Sequence, residues 1–152
     1  MPPPHSLDGK KILIVDDEPD ILETLADLLD MCVTDTAQDY ETAAGMLEKN
    51  TYDMTVLDVM GVNGYELLET ANQKEIPSVM LTAHALTKDN FTKSMDKGAR
   101  AYLPKDKMYE IDTILEDVLE EKDQAAGTQG KWFDRVKDYF EATFGTGWLG
   151  EQ

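Results

Sequence analysis

Five short apolar runs alternate with segments of helical period along most of the chain, and this alternation restricts the possible fold more than any other feature. The runs fall at residues 12–15, 32–37, 54–57, 78–82 and 101–103, each bounded by turn signals, and they predict five strands. Between them, Ile21, Leu22, Leu25, Leu28 and Leu29 share one helical face, as do Ala43, Met46 and Leu47, then Leu67, Leu68 and Ala71. Met108, Ile111, Leu115 and Val118 mark a last stripe, whereas the segment near 87–97 offers almost only Phe91 and Met95, which predicts the most loosely packed helix. Pro19 suits a first helical turn, where its missing N–H costs little. Strict alternation with short links requires parallel strands joined by right-handed crossovers. The predicted class is α/β, a doubly wound five-stranded parallel sheet with helices on both faces.

Ligands of such open sheets bind beyond the carboxyl ends of the strands. That rule draws scattered residues together. Asp16 and Asp17 follow the first run in KKILIVDDEPD, with a third acid directly after; Asp58 ends the third, Thr82 ends the fourth and Lys105 follows the fifth. Neighbouring carboxylates at the mouth of an apolar strand repel one another and gain nothing from burial, so a bound cation is expected to offset them. Oxygen anions without His or Cys companions suit a hard ion, Mg²⁺ or Mn²⁺, and disfavour zinc. A carboxylate beside such an ion can attack a phosphoryl group while the lysine balances charge on the transferred oxygens and Thr82 adds a hydrogen bond. Relief of repulsion predicts that Asp16→Ala raises the metal-free melting temperature. Gly61 and Gly64, just after the third run, are expected to serve turn formation.

Composition narrows the function. A formal charge of -17 and a pI near 4.3 argue against a nucleic-acid surface and against anionic lipid, so no DNA-binding output module is expected. Cys32 is the only cysteine, which excludes an intrachain disulfide, suits a reducing cytosol and reads as a core filler. The N-terminus lacks a run of signal-peptide length and no stretch approaches a membrane span, so a cytoplasmic protein is expected.

The chain divides into a disordered lead-in at 1–7 containing His5, a domain at 8–122, a Gly-containing linker at 123–130 and an amphipathic helical tail at 131–152. On a helical wheel Trp132, Phe133, Val136, Tyr139, Phe140 and Phe144 fall within an arc of about 140°, opposite Asp134, Lys137, Asp138 and Glu141. A stripe of this width must be buried. Its own domain, a partner or second copy, and a membrane surface are the candidate covers. The membrane is disfavoured because Lys131, Arg135 and Lys137 are few against an acidic body.

The ordered set VDDEPD, VLDVM, LTAHA and YLPKD resembles the signature of the receiver domain of two-component response regulators, over about residues 8–122. The resemblance implies a flavodoxin-like strand order 2-1-3-4-5 with five helices. It implies a signalling module rather than an enzyme, with Asp58 accepting a phosphoryl group from a sensor histidine kinase or histidine phosphotransfer protein. Asp17 would bind Mg²⁺ directly, Asp16 mostly through water, and the backbone carbonyl of Met60 would complete the set around Asp58. Thr82 matches the switch hydroxyl, Lys105 the site lysine, and Tyr102 the switch aromatic that turns inward on phosphorylation. That motion would repack the face of the fourth helix, fifth strand and fifth helix. Output is expected from this face or from the tail, to a downstream protein or a dimer partner. Pro104 matches a proline whose preceding peptide is often cis in the family. Met60 and His84 occupy the positions that tune phosphoryl lifetime there, with Met60 expected to slow hydrolysis.

The chain departs from the pattern after the acceptor, where DVMGVNGYELL lacks a proline and forms a shorter loop, and at LLDMCVTDTA, a compressed link. The competing chemistry is a Mg²⁺-dependent phosphohydrolase with an aspartyl nucleophile. It would need an Asp-x-Asp arrangement after the first strand, which VDDEPD does not supply, and room for a substrate-selecting cap. A flavin electron carrier is disfavoured because DDEPD would repel the flavin phosphate.

Overall fold

In the computed structural model, residues 7–83, 87–120 and 131–145 are described. Strands β1 (Lys11–Val15), β2 (Val33–Ala37), β3 (Met54–Asp58), β4 (Ser78–Thr82) and β5 (Ala101–Pro104) form one sheet of order β2-β1-β3-β4-β5, every pairing parallel. Helices α1 (Pro19–Leu28), α2 (Tyr40–Lys49), α3 (Gly64–Gln73), α4 (Lys88–Asp96) and α5 (Ile111–Glu120) cover its two faces, and α6 (Lys131–Phe144) follows. β3 and β4 lie inside the sheet and bury all of their residues, which is why their sequences are nearly unbroken apolar runs. β2 is an edge strand and leaves Val33 and Thr36 exposed.

Local chemistry sets the helix starts. The Asp39 carboxylate accepts from the Thr42 amide at 2.7 Å to cap α2, and the Thr87 hydroxyl accepts from the Asn90 amide at 3.1 Å to cap α4. Pro19 stands at the start of α1, as its missing N–H predicts.

The structure departs from the sequence expectation in four places. Met108 lies not on α5 but on a 3₁₀ turn, Lys105–Glu110, which carries the chain from the end of β5 around to the start of α5. Leu7, assigned to the lead-in, is fully buried, and its carbonyl accepts from the Lys10 amide at 3.0 Å. The Leu103–Pro104 peptide is trans, since no described peptide bond is cis, and Lys105 reaches the strand ends regardless. The fourth helix, poor in apolar residues, is anchored all the same, because Phe91 is buried beneath the tail. His84, the rest of the lead-in and the linker lie outside the described residues.

The tail's aromatic stripe is covered by its own domain. Trp132, Phe133, Val136 and Phe140 are buried, with Phe140 edge-on to Phe91 at 5.5 Å and tilted against Tyr102 at 6.2 Å between ring centroids. α6 thus lies over β5 and α5, so the edge strand β5 is buried at every residue. Arg135 fastens it by donating to both oxygens of the buried Asp117, at 2.6 and 3.2 Å. Each fully buried aromatic of this kind contributes roughly 1.5–3 kcal/mol, enough to hold a short helix that would be marginal alone.

Candidate functional site

Register brings the acids together. Val15 pairs with Leu57 across β1 and β3, so Asp16 and Asp58 emerge side by side, while Asp58 pairs with Leu81 and Thr82 with Pro104 on the other side. Asp16 is wholly buried and Asp58 is 5% exposed, whereas Asp17 points into solvent. Asp16 Oδ1 accepts from the Glu18 amide at 2.9 Å. Its Oδ2 is ion-paired with the Lys105 ammonium, 2.8 Å away. Lys105 also donates to Glu18 Oε2 at 3.0 Å and stays 3.7 Å from Asp58 Oδ1.

Electrostatics follow from this crowding. Burial, then the charges of Asp16 and Asp17, push the Asp58 carboxyl up to about 7, against the opposing pull of Lys105 and a hydrogen bond from the Met60 amide. Burial also raises Asp16, and the ion pair with Lys105 only partly offsets it. Burial pulls the Lys105 ammonium down, but hydrogen bonds to Asp16 and Glu18 outweigh it and hold the proton more firmly than usual. The pair therefore secures the lysine's charge without relieving the acid.

Two recesses lie at the carboxyl ends of the strands. Asp17, Glu18, Asp58, Met60 and Gly61 line one of about 250 Å³. Thr82 and Lys105 line the other, about 80 Å³, together with Ala83, Pro104, Asp106 and Tyr139 of α6. Gly61 has φ +87°, and a Cβ there would sit 2.6 Å from Asp17 Oδ2, so this glycine serves a close approach as well as a turn. Gly64 likewise abuts the Asp58 carbonyl.

Carboxylate oxygens of Asp16, Asp17 and Glu18 lie within 4.8 Å of one another. An all-oxygen donor set and a neighbouring acid raised by burial and by like charge together fit a hard divalent cation. Glu18 was not among the predicted site residues, though the third acid of VDDEPD was its signal. Tyr102 is fully buried, its phenol oxygen hydrogen-bonded to the Thr82 side chain and the Thr87 amide, and burial raises its pKa. Its ring is turned inward, packed edge-on by Phe91 at 5.6 Å and 6.2 Å from Phe140.

A doubly wound sheet of this strand order, with acids, a hydroxyl and an ammonium at its carboxyl ends, defines a flavodoxin-like α/β protein. The mycobacterial protein TcrA of Mycobacterium tuberculosis, a transcriptional regulatory protein, is 35% identical over 103 residues, 64% of this chain and 40% of TcrA. The rice two-component response regulator ORR24 of the indica subspecies is 33% identical over 131 residues, 80% of this chain and 21% of that protein. The chain belongs to the response regulator receiver domain family, whose pattern matches residues 12–118. A CheY-like receiver domain protein from Methanospirillum hungatei superposes with a TM-score of 0.69 at 25% identity, covering 76% of this chain and 98% of that one. A two-component response regulator from Clostridium difficile shares the fold, with TM-score 0.68, 22% identity and coverage of 76% and 99%. The chain therefore spans well under half the length of the two relatives matched by sequence, and α6 lies beyond the family match.

Proposed function

We propose that this chain accepts a phosphoryl group on Asp58 from a phosphohistidine of a sensor kinase or phosphotransfer protein, in the cytoplasm, and so switches a protein-interaction surface. The observation that carries the proposal is a buried strand-end carboxylate crowded by two acids, with an ammonium 3.7 Å away. Asp58 attacks phosphorus, the P–N bond breaks, and the imidazole leaves with the bonding pair. Asp17 and the Met60 carbonyl would hold Mg²⁺ or Mn²⁺ with Asp58, and Asp16 would act through water. The bound ion would keep Asp58 ionised and neutralise charge on the phosphoryl oxygens. Lys105 would shift from Asp16 and Glu18 toward a phosphoryl oxygen, and Thr82 would donate its hydroxyl to another. Tyr102, already inward, would follow Thr82.

Incubation with Mg²⁺ and acetyl phosphate, followed by intact mass and peptide mapping, tests this. One added phosphoryl group on Asp58, abolished by Asp58→Asn, is the expected result. No adduct, or one mapped elsewhere, would overturn it. Among the described residues no helix is long and apolar enough to cross a membrane.

A further inference from the structure

A helix outside the family match packs on a tyrosine that touches the site hydroxyl. α6 lies beyond residues 12–118, yet its buried Phe140 is tilted against Tyr102 at 6.2 Å and edge-on to Phe91 at 5.5 Å. Phe91 in turn packs edge-on against Tyr102 at 5.6 Å and lies 6.5 and 6.3 Å from Trp132 and Phe133 of α6. Tyr102 is thus held between a ring of α4 and a ring of α6, and outward rotation would require Phe140 to give way. α6 is fastened close to this contact. Arg135 donates to the Asp117 carboxylate at 2.6 Å, and the hydroxyl of Tyr139, next to Phe140, donates to Asp106 at 2.6 Å.

The phenol oxygen of the held ring bonds both the Thr82 side chain and the Thr87 amide. An amide only donates, so the phenol accepts from Thr87 and has its single O–H to give to Thr82. A threonine oxygen that accepts from Tyr102 still carries an O–H of its own, which can donate to a phosphoryl oxygen on Asp58. Donors in such a row polarise one another, so the bonds from Thr87 through Tyr102 strengthen the last one.

We infer that Phe140 is a positioning residue for phosphoryl acceptance: packed on Tyr102, it holds the phenol on Thr82 and so keeps the Thr82 O–H directed to a phosphoryl oxygen on Asp58. The inference deepens the phosphoacceptor reading and rests on it. Loss of the Phe140 ring would let the phenol exchange Thr82 for water. A site whose competent arrangement is only partly populated binds its ligand more weakly by that fraction. The coupling is reciprocal, so a phosphoryl group on Asp58 seats α6 more firmly by the same factor.

The test uses the full chain at saturating Mg²⁺ with beryllofluoride, a phosphoryl mimic that binds reversibly, so that calorimetric titration gives an equilibrium Kd. Phe140→Ala should raise this Kd about fivefold or more. In a Tyr102→Phe background, which keeps the ring and removes its hydroxyl, Phe140→Ala should change the Kd by no more than about twofold, because the row of bonds is already cut. Amide exchange across α6 of the parent chain should slow when beryllofluoride is bound. Circular dichroism checks that Phe140→Ala folds, and exchange in the parent chain decides alone if it does not. An unchanged or lower Kd in Phe140→Ala would overturn the inference, as would an equal rise in both backgrounds, which would make Phe140 a packing residue only. Unchanged or faster exchange in α6 would overturn it as well. A parent chain that neither binds beryllofluoride nor gains mass from acetyl phosphate would instead defeat the phosphoacceptor reading itself, and the role of Phe140 with it.

Discussion

Replacing Asp58 with Asn should stabilise the metal-free protein, and by more at pH 8 than at pH 5. The magnitude comes from the site. Burial first, then Asp16 and Asp17, raise this carboxyl from 3.8 to about 7, a difference of roughly 4 kcal/mol between protonation states. Because the folded value is raised above the unfolded one, the favourable protonated form is fully present below about pH 4. Its benefit is lost as pH climbs toward 7. Asn keeps an acceptor for the Met60 amide without the charge, so it escapes this loss. Lys105 gives up a partner at 3.7 Å but keeps Asp16 and Glu18, which trims the gain modestly. We expect Asp58→Asn to be more stable by about 2–4 kcal/mol at pH 8, with roughly two fifths of that already present at pH 5. Urea unfolding in EDTA at several pH values measures it, provided the slope with denaturant is the same for both chains. A gap that does not grow with pH, or an Asn variant less stable at pH 8, would refute the claim that the acids strain one another. Added Mg²⁺ should narrow the gap, because the ion favours the form that carries all the acids. Asp16→Ala, the substitution that sequence alone suggests, is a poorer probe, since Asp16 is also the ion-pair partner of Lys105.

Three further substitutions probe neighbouring features. Gly61→Ala adds a Cβ 2.6 Å from Asp17 Oδ2 at φ +87°, so it should cost about 1 kcal/mol or more and weaken Mg²⁺ or Mn²⁺ binding, read by melting temperature and metal titration. Arg135→Ala leaves the buried Asp117 carboxylate without its guanidinium; with 40% of the Arg135 side chain exposed, a loss of about 1–2 kcal/mol is expected, seen as faster amide exchange confined to α6. Met60 is 54% exposed at the rim of the acidic recess, and Met60→Asn, by offering a hydrogen bond to an attacking water, should shorten the phosphoryl lifetime; an unchanged decay by mass would rule this out.

Much of the architecture could be read from local pattern. The runs ending at Val15, Leu57 and Thr82 could be little else than buried strands, and parallel alternation with helices then placed Asp16, Asp17, Asp58, Thr82 and Lys105 at one end of the sheet. The wheel on α6 likewise showed that Trp132, Phe133, Val136 and Phe140 had to be covered. What covers them was not legible, because an amphipathic stripe states how much area must be buried and not against which surface. Nor could the pattern foretell the 3₁₀ turn carrying Met108, since an i+3 and an i+4 spacing of apolar residues look alike over one turn.

The sequence by itself settled which residues form the sheet, which end of it carries the acids, and that the tail has one apolar face, because strand and helix periods are properties of neighbouring residues. Tertiary structure alone decided that Lys105 bonds Asp16 and Glu18 rather than Asp58, that Thr82 holds Tyr102, and that Phe140 and Tyr139 lean on this arrangement. Those choices turn on differences of an ångström between side chains that lie up to 89 residues apart. Only the packed chain brings such groups close enough to compete.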